Sequence, residues 1–450
     1  AAATTRGLYL RGWRYGSETD RLVAEARERE TLAPERWRGR TEEALARLLH
    51  RAAARVPYYR AHFAERRRRG ERPRVEDLAS WPLLTKETVR SRALELIADD
   101  ADPRALWRER TSGTTGTPLT VFMTRETLRA WYALFESRVR AWNGVTREDR
   151  WANIGGQLVT PVERDQPPFW VWNAGLKQLY MSSYHLAPGK GAAYVSALAR
   201  QRVSYVHGYA SSLESLALLA REEGAEPPPL RVALSNAEPL SPRQRVRIED
   251  GLRCPVRDTY GMAEIVAAAS ECGAGRLHLW PEVGVLEVLA WDADVPAAPR
   301  AAGRLVATGL LNAAMPLVRY VVGDGGSIAA AAAPCSCGRT LPALASLEGR
   351  SDDLVVTPNG TRVGRLDPVF KADLPVREAQ IVQETLDLLR VRVVPLRPLA
   401  DAEKEDLAAR LRQRVGSRMR VLVEEVATLP RGAGGKARAV VSRVSREASA

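Results

Sequence analysis

Residues 203–252 read VSYVHGYASSLESLALLAREEGAEPPPLRVALSNAEPLSPRQRVRIEDGL, and this stretch decides the fold class. VSYVHGYA is a short apolar run of strand type that ends in a turn. SSLESLALLAREEG, directly after it, carries apolar residues at helical spacing. The order then repeats, with LRVALSNAEPL as strand and turn and SPRQRVRIEDGL as helix. Strand, turn, helix, repeated, predicts an α/β arrangement with parallel strands. Sheets of this kind place their ligands at the turns that follow the strands.

Upstream, TEEALARLLHRAAARVPYYRAHF predicts a helix capped at Thr41, with Glu43 just behind and Leu45, Leu48, Leu49 and Ala52 on its apolar face. Pro57 stops it. Downstream, VGVLEVLAW and GRLVATGLL read as strands of a second sheet. The texture shifts again after SLEGRSDDLVV. DAEKEDLAARLRQRVGSRM is one amphipathic helix with strands on either side, which suits a small α+β domain of about a hundred residues. The expected division is residues 1–351, with a helical start over about 1–100, followed by residues 352–450.

Composition excludes several classes. The net charge is +13, but only six of the 67 basic residues are lysine, and the arginines are spread among Asp and Glu. No nucleic-acid-reading motif accompanies them, so the charge reads as compositional bias on solvated faces and not as a nucleic-acid surface. No apolar run is long enough to span a bilayer. The opening AAATTRGLYLRGWRYGS lacks a signal-peptide pattern, and a cytoplasmic location is expected. Four cysteines do not make a disulfide scaffold in a chain of 450 residues. Cys272 and His278 in ECGAGRLH, with Cys335 and Cys337 in PCSCG, form a closed Cys₃His set of structural-zinc type. The alternative is buried apolar thiols, of which Cys254 is the clearest example.

Residues 111–118 read TSGTTGTP. Thr111, Ser112, Thr114 and Thr115 offer hydroxyls, while Gly113 and Gly116 free the backbone. Such a loop can aim several N–H and O–H donors at one anion, although Ser/Thr/Gly clusters also mark ordinary loops. No GK[ST] follows, so it is not the lysine-ending loop of GTPases. Lys436 lies among glycines in LPRGAGGKARAV, and a lysine on such an arm either delivers charge to a carboxylate and a phosphate or is a solvated loop residue.

Six segments occur in one order: TSGTTGTP, SNAEPL, YGMAE, RYVVGD, EGRSDD and LPRGAGGK. With YMSSYHL and HGYASSL, they make the chain similar to adenylate-forming ligases, in particular the phenylacetate–CoA ligase-like and capsule-biosynthesis-type branch. The resemblance covers roughly residues 40–440. It implies a large N-terminal α/β domain with parallel-rich sheets and a small mobile α+β C-terminal domain. It also implies ATP and Mg²⁺ as cofactors, a carboxylic acid as substrate and an acyl-AMP intermediate. The expected acceptor is a thiol, of CoA or a carrier protein, with an amine or alcohol as the alternative, and homodimerisation is left open.

Residue by residue, the resemblance implies that Thr111 to Thr117 hold phosphates and that Asn236 and Glu238 serve the nucleotide site. Glu264 binds Mg²⁺, Tyr260 lies beside adenine, and Asp324 takes the ribose hydroxyls with help from Arg350. Asp352 is the hinge, and Lys436 stabilises charge between the attacking carboxylate and the α-phosphate. Where related chains often carry Thr or Ser before the Mg²⁺ glutamate, this one has Ala263, which puts that α-phosphate contact in doubt. Some related chains share the Cys/His cluster after YG-x-x-E. The acid pocket is expected from Gly156, Ser183, His185, His207 and Tyr209. His185 and His207 are read either as general bases or as packed histidines. Phe169, Trp170 and Trp172 are read either as pocket or as core. Two rivals remain: an amide- or ester-forming adenylating ligase, and a non-enzymatic, zinc-stabilised nucleotide-binding protein.

Overall fold

The computed structural model describes residues 2–110, 119–156, 159–161, 164–330, 335–350, 355–358, 362–363, 366, 374–430 and 440–444. The chain opens with helices α1 (Ala2–Arg14), α2 (Thr19–Arg29), α3 (Pro34–Arg55), α4 (Pro57–His62), α5 (Ala64–Arg68) and α6 (Lys86–Ser91). The expected start at Thr41 is corrected: α3 begins seven positions earlier, because Pro34 at its first turn supplies the fixed φ that a helix start accepts. Pro57 does separate α3 from α4. A hairpin, β1 (Trp107–Arg110) and β2 (Thr120–Met123), precedes α7 (Arg125–Phe135).

The central sheet is built from β3 (Trp151–Gly155), β4 (Trp170–Asn173), β5 (Gln178–Ser182), β6 (Tyr205–Tyr209), β7 (Val232–Asn236), β8 (Val256–Gly261), β9 (Ala268–Glu271) and β10 (Leu277–Leu279). Its order is β10-β9-β8-β7-β6-β3-β5-β4. Strands β5, β3, β6, β7 and β8 pair in parallel, and antiparallel strands finish both edges. The predicted strand–helix repeats are β6 with α9 (Ala210–Glu222) and β7 with α10 (Pro242–Leu252). With α8 (Gly191–Arg200), these helices bury Leu198, Leu213, Leu216, Ile248 and Leu252 against Ile154, Met181, Val206 and Ala233 on one face of the sheet. The other face meets the N-terminal helices and the second sheet in a larger core.

That second sheet is antiparallel: β11 (Gly284–Leu289), β12 (Gly303–Gly309), β13 (Tyr320–Ile328) and β14 (Leu344–Arg350). A short pair, β15 (Val355–Val356) and β16 (Arg362–Val363), follows. The C-terminal part has its own core, in which β17 (Val376–Thr385), β18 (Leu388–Pro395), β19 (Arg420–Glu425) and β20 (Val440–Ser442) pack against α11 (Asp401–Val415). It seats on the large part through polar contacts. Arg243 donates to the Leu374 carbonyl at 3.2 Å, Arg247 donates to the Val376 carbonyl at 3.0 Å, and Arg377 pairs with Glu222 at 2.7 Å. No helix among the described residues is long and apolar enough to cross a membrane.

One buried ion pair ties the layers together. Arg138, fully buried, reaches both carboxylate oxygens of Glu282 at 2.8 and 2.7 Å and lies between the rings of Trp37 and Trp280. Burial pushes the Glu282 carboxyl up, but Arg138 and Arg29 outweigh it and hold it below the usual carboxylate range. Arg138→Met leaves this buried carboxylate with Arg29 alone. The expected loss is about 3–5 kcal/mol in urea unfolding of the large part, and a change within 1 kcal/mol would contradict the assignment.

Candidate active site

The parallel strands reverse their connection order between β3 and β6: β3 leads to β5 on one side, and β6 leads to β7 and β8 on the other. A doubly wound sheet opens a crevice at such a point, at the carboxyl ends of the strands. Several expected pocket residues sit there. Gly156 follows β3, Ser183 follows β5, Tyr209 ends β6 and Asn236 ends β7. The Gly156 backbone hydrogen-bonds Tyr209 across the reversal point, and burial raises the Tyr209 phenol above its ordinary range. After Asn236 the chain turns sharply through Ala237, a non-glycine residue at φ 62°. Glu238 then accepts the Ser211 backbone N–H at 2.9 Å. Ser183 Oγ, Ser211 Oγ, Asn236 Oδ1 and His207 Nε2 are buried with no hydrogen-bond partner among the described residues. Orphaned polar atoms are costly, and those of Ser183, Ser211 and Asn236 fall at the carboxyl ends of one sheet, which makes that end the candidate ligand-facing surface.

The nucleotide candidates are joined directly. Tyr260, on β8, donates its hydroxyl to Asp324 Oδ2 at 2.9 Å, linking the central sheet to β13. Tyr320, at the start of β13, donates to Glu264 Oε1 at 2.7 Å. Glu264 is buried. It stands in a turn that returns through Ile265, at φ 52°. Arg350 is opposite Asp324 in the β13–β14 register. Thr111 to Gly116, Asp352 and Lys436 lie outside the described residues, between β1 and β2, after β14 and before β20 respectively.

Asp258, two residues before Tyr260, was not anticipated. It borders a cavity of about 400 Å³ together with Pro239, Leu240 and the β9–β10 turn. Burial pushes its carboxyl up to about 6, against hydrogen bonds from Ser235 and the Thr259 N–H. Its sequence signal was its place in the strand leading to YGMAE. Tyr320 was missed because RYVVGD draws attention to its aspartate.

The two histidines differ. His185 is engaged at both nitrogens, by Ser182 Oγ at 3.0 Å and the Pro161 carbonyl at 3.1 Å, and stacks on Phe169 at 4.7 Å. It has no nitrogen left for a substrate, which corrects the general-base reading. Phe169 is fully buried in the core beneath it, so that aromatic is packing and not pocket. His207 sits against Phe135 and Trp151, and burial lowers its imidazole to about 4. It is neutral at physiological pH.

Cys272, His278, Cys335 and Cys337 converge, with their ligand atoms within 4.8 Å of one another. Cys272 and Cys335 sulfurs are 3.8 Å apart, and Cys337 Sγ lies 3.4 Å from His278 Nε2. A tetrahedron with Zn–S near 2.3 Å and Zn–N near 2.0–2.1 Å has edges of about 3.8 and 3.5 Å. His278 Nδ1 faces the Leu341 carbonyl at 3.0 Å, which fixes the tautomer that turns Nε2 toward the thiols.

Residues 71–311 match the AMP-binding enzyme family, and residues 355–443 match the CapK C-terminal domain. The chain therefore belongs to the AMP-binding enzymes, the adenylate-forming class, as its motif order led one to expect. It is 24% identical to protein CapK of Staphylococcus aureus over 83% of this chain and 82% of that protein. It is 28% identical to a phenylacetate–coenzyme A ligase of Thermus thermophilus over 92% of this chain and 98% of that one. A 2-hydroxyisobutyryl-CoA ligase in its postadenylation state shares the fold, with a TM-score of 0.72 at 22% identity over 93% of this chain and 92% of that one.

Asp258 also sets a pH dependence. Folded, it titrates near 6, whereas unfolded it returns to 3.8. Between those values only the native state holds the proton, so its contribution falls as pH rises from about 4 to 6 and is level above. The span is roughly 2–3 kcal/mol. Asp258→Asn should gain on the wild type in melting temperature across that window, and a gap that stays constant from pH 4 to 7 would contradict the assignment.

Proposed function

We propose that this chain activates a carboxylic acid with ATP as its acyl-AMP, releasing pyrophosphate, and then transfers the acyl group to a thiol. The observation that carries the reading is the Tyr260–Asp324 hydrogen bond, which brings the adenosine candidates together next to the Tyr320–Glu264 pair. In this reading Asp324 holds the ribose hydroxyls and Tyr260 fixes that carboxylate while flanking the base. The cavity beside Pro239 and Leu240 would take the adenine, with Asp258 facing its exocyclic amine. Glu264 would hold Mg²⁺, since a hard dication wants a carboxylate and Tyr320 fixes this one in place. When bound, the metal offsets phosphate charge. Thr111 to Gly116 would grip the phosphates, and Asn236 and Glu238 would close the site behind the nucleotide.

The acid would enter the crevice at the β3–β6 reversal, near Gly156, Ser183, His207 and Tyr209. Its carboxylate attacks the α-phosphorus, and pyrophosphate leaves with the bonding pair. Lys436 would stabilise that charge, and rotation about Asp352 would remove it for the second step. The boundary between the two parts is placed at that hinge. The thiol then attacks the acyl carbonyl and AMP departs. CoA is the first acceptor to test, because the Thermus relative that aligns over most of the chain is a CoA ligase. Three thiolates and one imidazole at tetrahedral spacing fit a structural zinc. All four positions would be filled by protein, so the metal would hold β9 and β10 to the 335–341 segment and do no chemistry.

Pyrophosphate exchange with a panel of carboxylic acids tests the first half-reaction. Glu264→Gln should lower it by about a hundredfold or more, and exchange with no acid at all would defeat the reading. Lys436→Ala should abolish exchange while thioester formation from supplied acyl-AMP persists; equal loss of both would remove the two-state assignment. Acyl-AMP that forms but yields no thioester with CoA would redirect the acceptor to a carrier thiol, an amine or an alcohol.

The metal is tested separately. Purified protein should carry one zinc per chain by elemental analysis, and Cys335→Ser with Cys337→Ser should lose it and melt earlier. Metal-free protein of unchanged melting temperature would dismiss the site.

A further inference from the structure

The strap between the N-terminal helices and the nucleotide site carries a lysine that the motifs do not include. Residues 81–86 cross onto the start of β13. Leu84 forms a parallel bridge with Tyr320: its N–H donates to the Arg319 carbonyl at 2.9 Å, and its carbonyl accepts the Val321 N–H at 2.9 Å. Arg319 grips the strap from the other side, donating to the carbonyls of Ala79 at 2.7 Å and Trp81 at 3.0 Å. Thr85 then caps α6 through the Thr88 N–H. Lys86 therefore stands at a fixed point, two residues beyond the sheet-bonded Leu84.

Its ammonium lies over Gly323, the residue immediately before Asp324. A Cβ on Gly323 would meet Lys86 Nζ at 2.8 Å, and the glycine holds φ +89°, a conformation that L side chains rarely adopt. Any side chain there would displace the ammonium. The other described lysines are spoken for: Lys177 pairs with Glu148, Lys190 with Asp165 and Lys404 with Glu425, each at 2.8 Å. Of the described lysines Lys86 alone has no carboxylate within salt-bridge distance, although it is half-buried. A half-buried ammonium without a counter-ion is unfavourable, and the site beside it is one that the proposed function fills with an anion.

We propose that Lys86 is a second nucleotide-binding cation, supplied by the large part of the chain, that contacts the phosphate of the bound adenylate. The inference rests on the nucleotide reading of Asp324. Asp324 would hold the ribose hydroxyls, and the 5′-phosphate hangs from the same sugar, within reach of a four-carbon stem anchored next door. A lysine suits this place as a compact charge on a flexible stem. Unlike Lys436, it is carried by the strap and does not depend on the C-terminal part. It would keep hold of the acyl-AMP phosphate while Lys436 is withdrawn between the half-reactions.

The test compares AMP with adenosine, since only AMP carries the anion. Isothermal titration of the full chain should show AMP binding more tightly than adenosine. Lys86→Met keeps most of the stem and removes the charge. It should narrow the AMP-over-adenosine ratio by roughly ten- to hundredfold, with adenosine affinity unchanged, and Lys86→Arg should restore most of the ratio. An unchanged ratio in Lys86→Met would overturn the proposal. Equal weakening of both ligands would also overturn it, because the lysine would then serve the ribose or the fold. Wild-type protein that binds neither ligand would instead defeat the nucleotide reading on which the proposal stands.

Discussion

Two sheets meet at the site, and each lends a tyrosine to a carboxylate of the other. Tyr260, on the central sheet, donates to Asp324 on the second sheet, and Tyr320, on the second sheet, donates to Glu264 in the β8–β9 loop of the central one. Hydrogen bonds to charged groups in partly buried places are worth about 1.5–3 kcal/mol each. Their larger consequence is geometric. They fix two carboxylates, Asp324 and Glu264, in one frame at the boundary between the sheets. Both tyrosines are buried in the large core, so neither carboxylate can drift without repacking that core.

The same boundary explains where the polar groups without partners are found. Strands of a parallel sheet all end on one edge, and their turns expose donors and acceptors that no neighbouring strand can take. Where the connections reverse, between β3 and β6, a doubly wound sheet opens a crevice. Ser183, Ser211 and Asn236 leave buried polar atoms without partners among the described residues at those strand ends. His185, one strand away, is instead packed and bonded at both nitrogens. His185 lies in the turn after β5 and His207 within β6, and what packs against each sets its role.

The N-terminal helices are part of the frame. Glu30, at the end of α2, receives Arg339 at 2.8 Å, Trp142 at 2.8 Å and Ser137 at 3.1 Å. Arg339 follows the Cys335–Cys337 pair, so the thiol cluster, α2 and the segment after α7 are held as one unit. Arg138 and Glu282 extend the connection to β11. The helical start of the chain thus buttresses the Cys335–Cys337 segment, whose thiols converge with Cys272 and His278 at the β9–β10 turn that borders the cavity beside Asp258.

The motif order determined the family, and the alternation over residues 203–252 determined a parallel sheet. Both signals are local: a strand, its turn and its helix lie within about thirty residues, and their patterns depend on backbone periodicity alone. Tyr260, Glu264 and Asp324 were legible as candidates for the same reason, since each sits in a short motif of its own. Which partner each one meets was not. The Tyr260–Asp324 contact spans 64 residues and the Tyr320–Glu264 contact 56, and no pattern on one side announces the other. Thr41 was mistaken for a cap because a Thr before Glu fits a helix start, whereas the packing of Trp37 into the core extended α3 back to Pro34. Asp258 gained its raised pKa from burial by neighbours on other strands. Lys86 stands beside Gly323 only because a strap bonded to β13 carries it there. The sequence by itself determined which chemistry the chain holds. The tertiary structure decided which groups act together, because burial and long-range contact are properties of the packed chain and not of any segment of it.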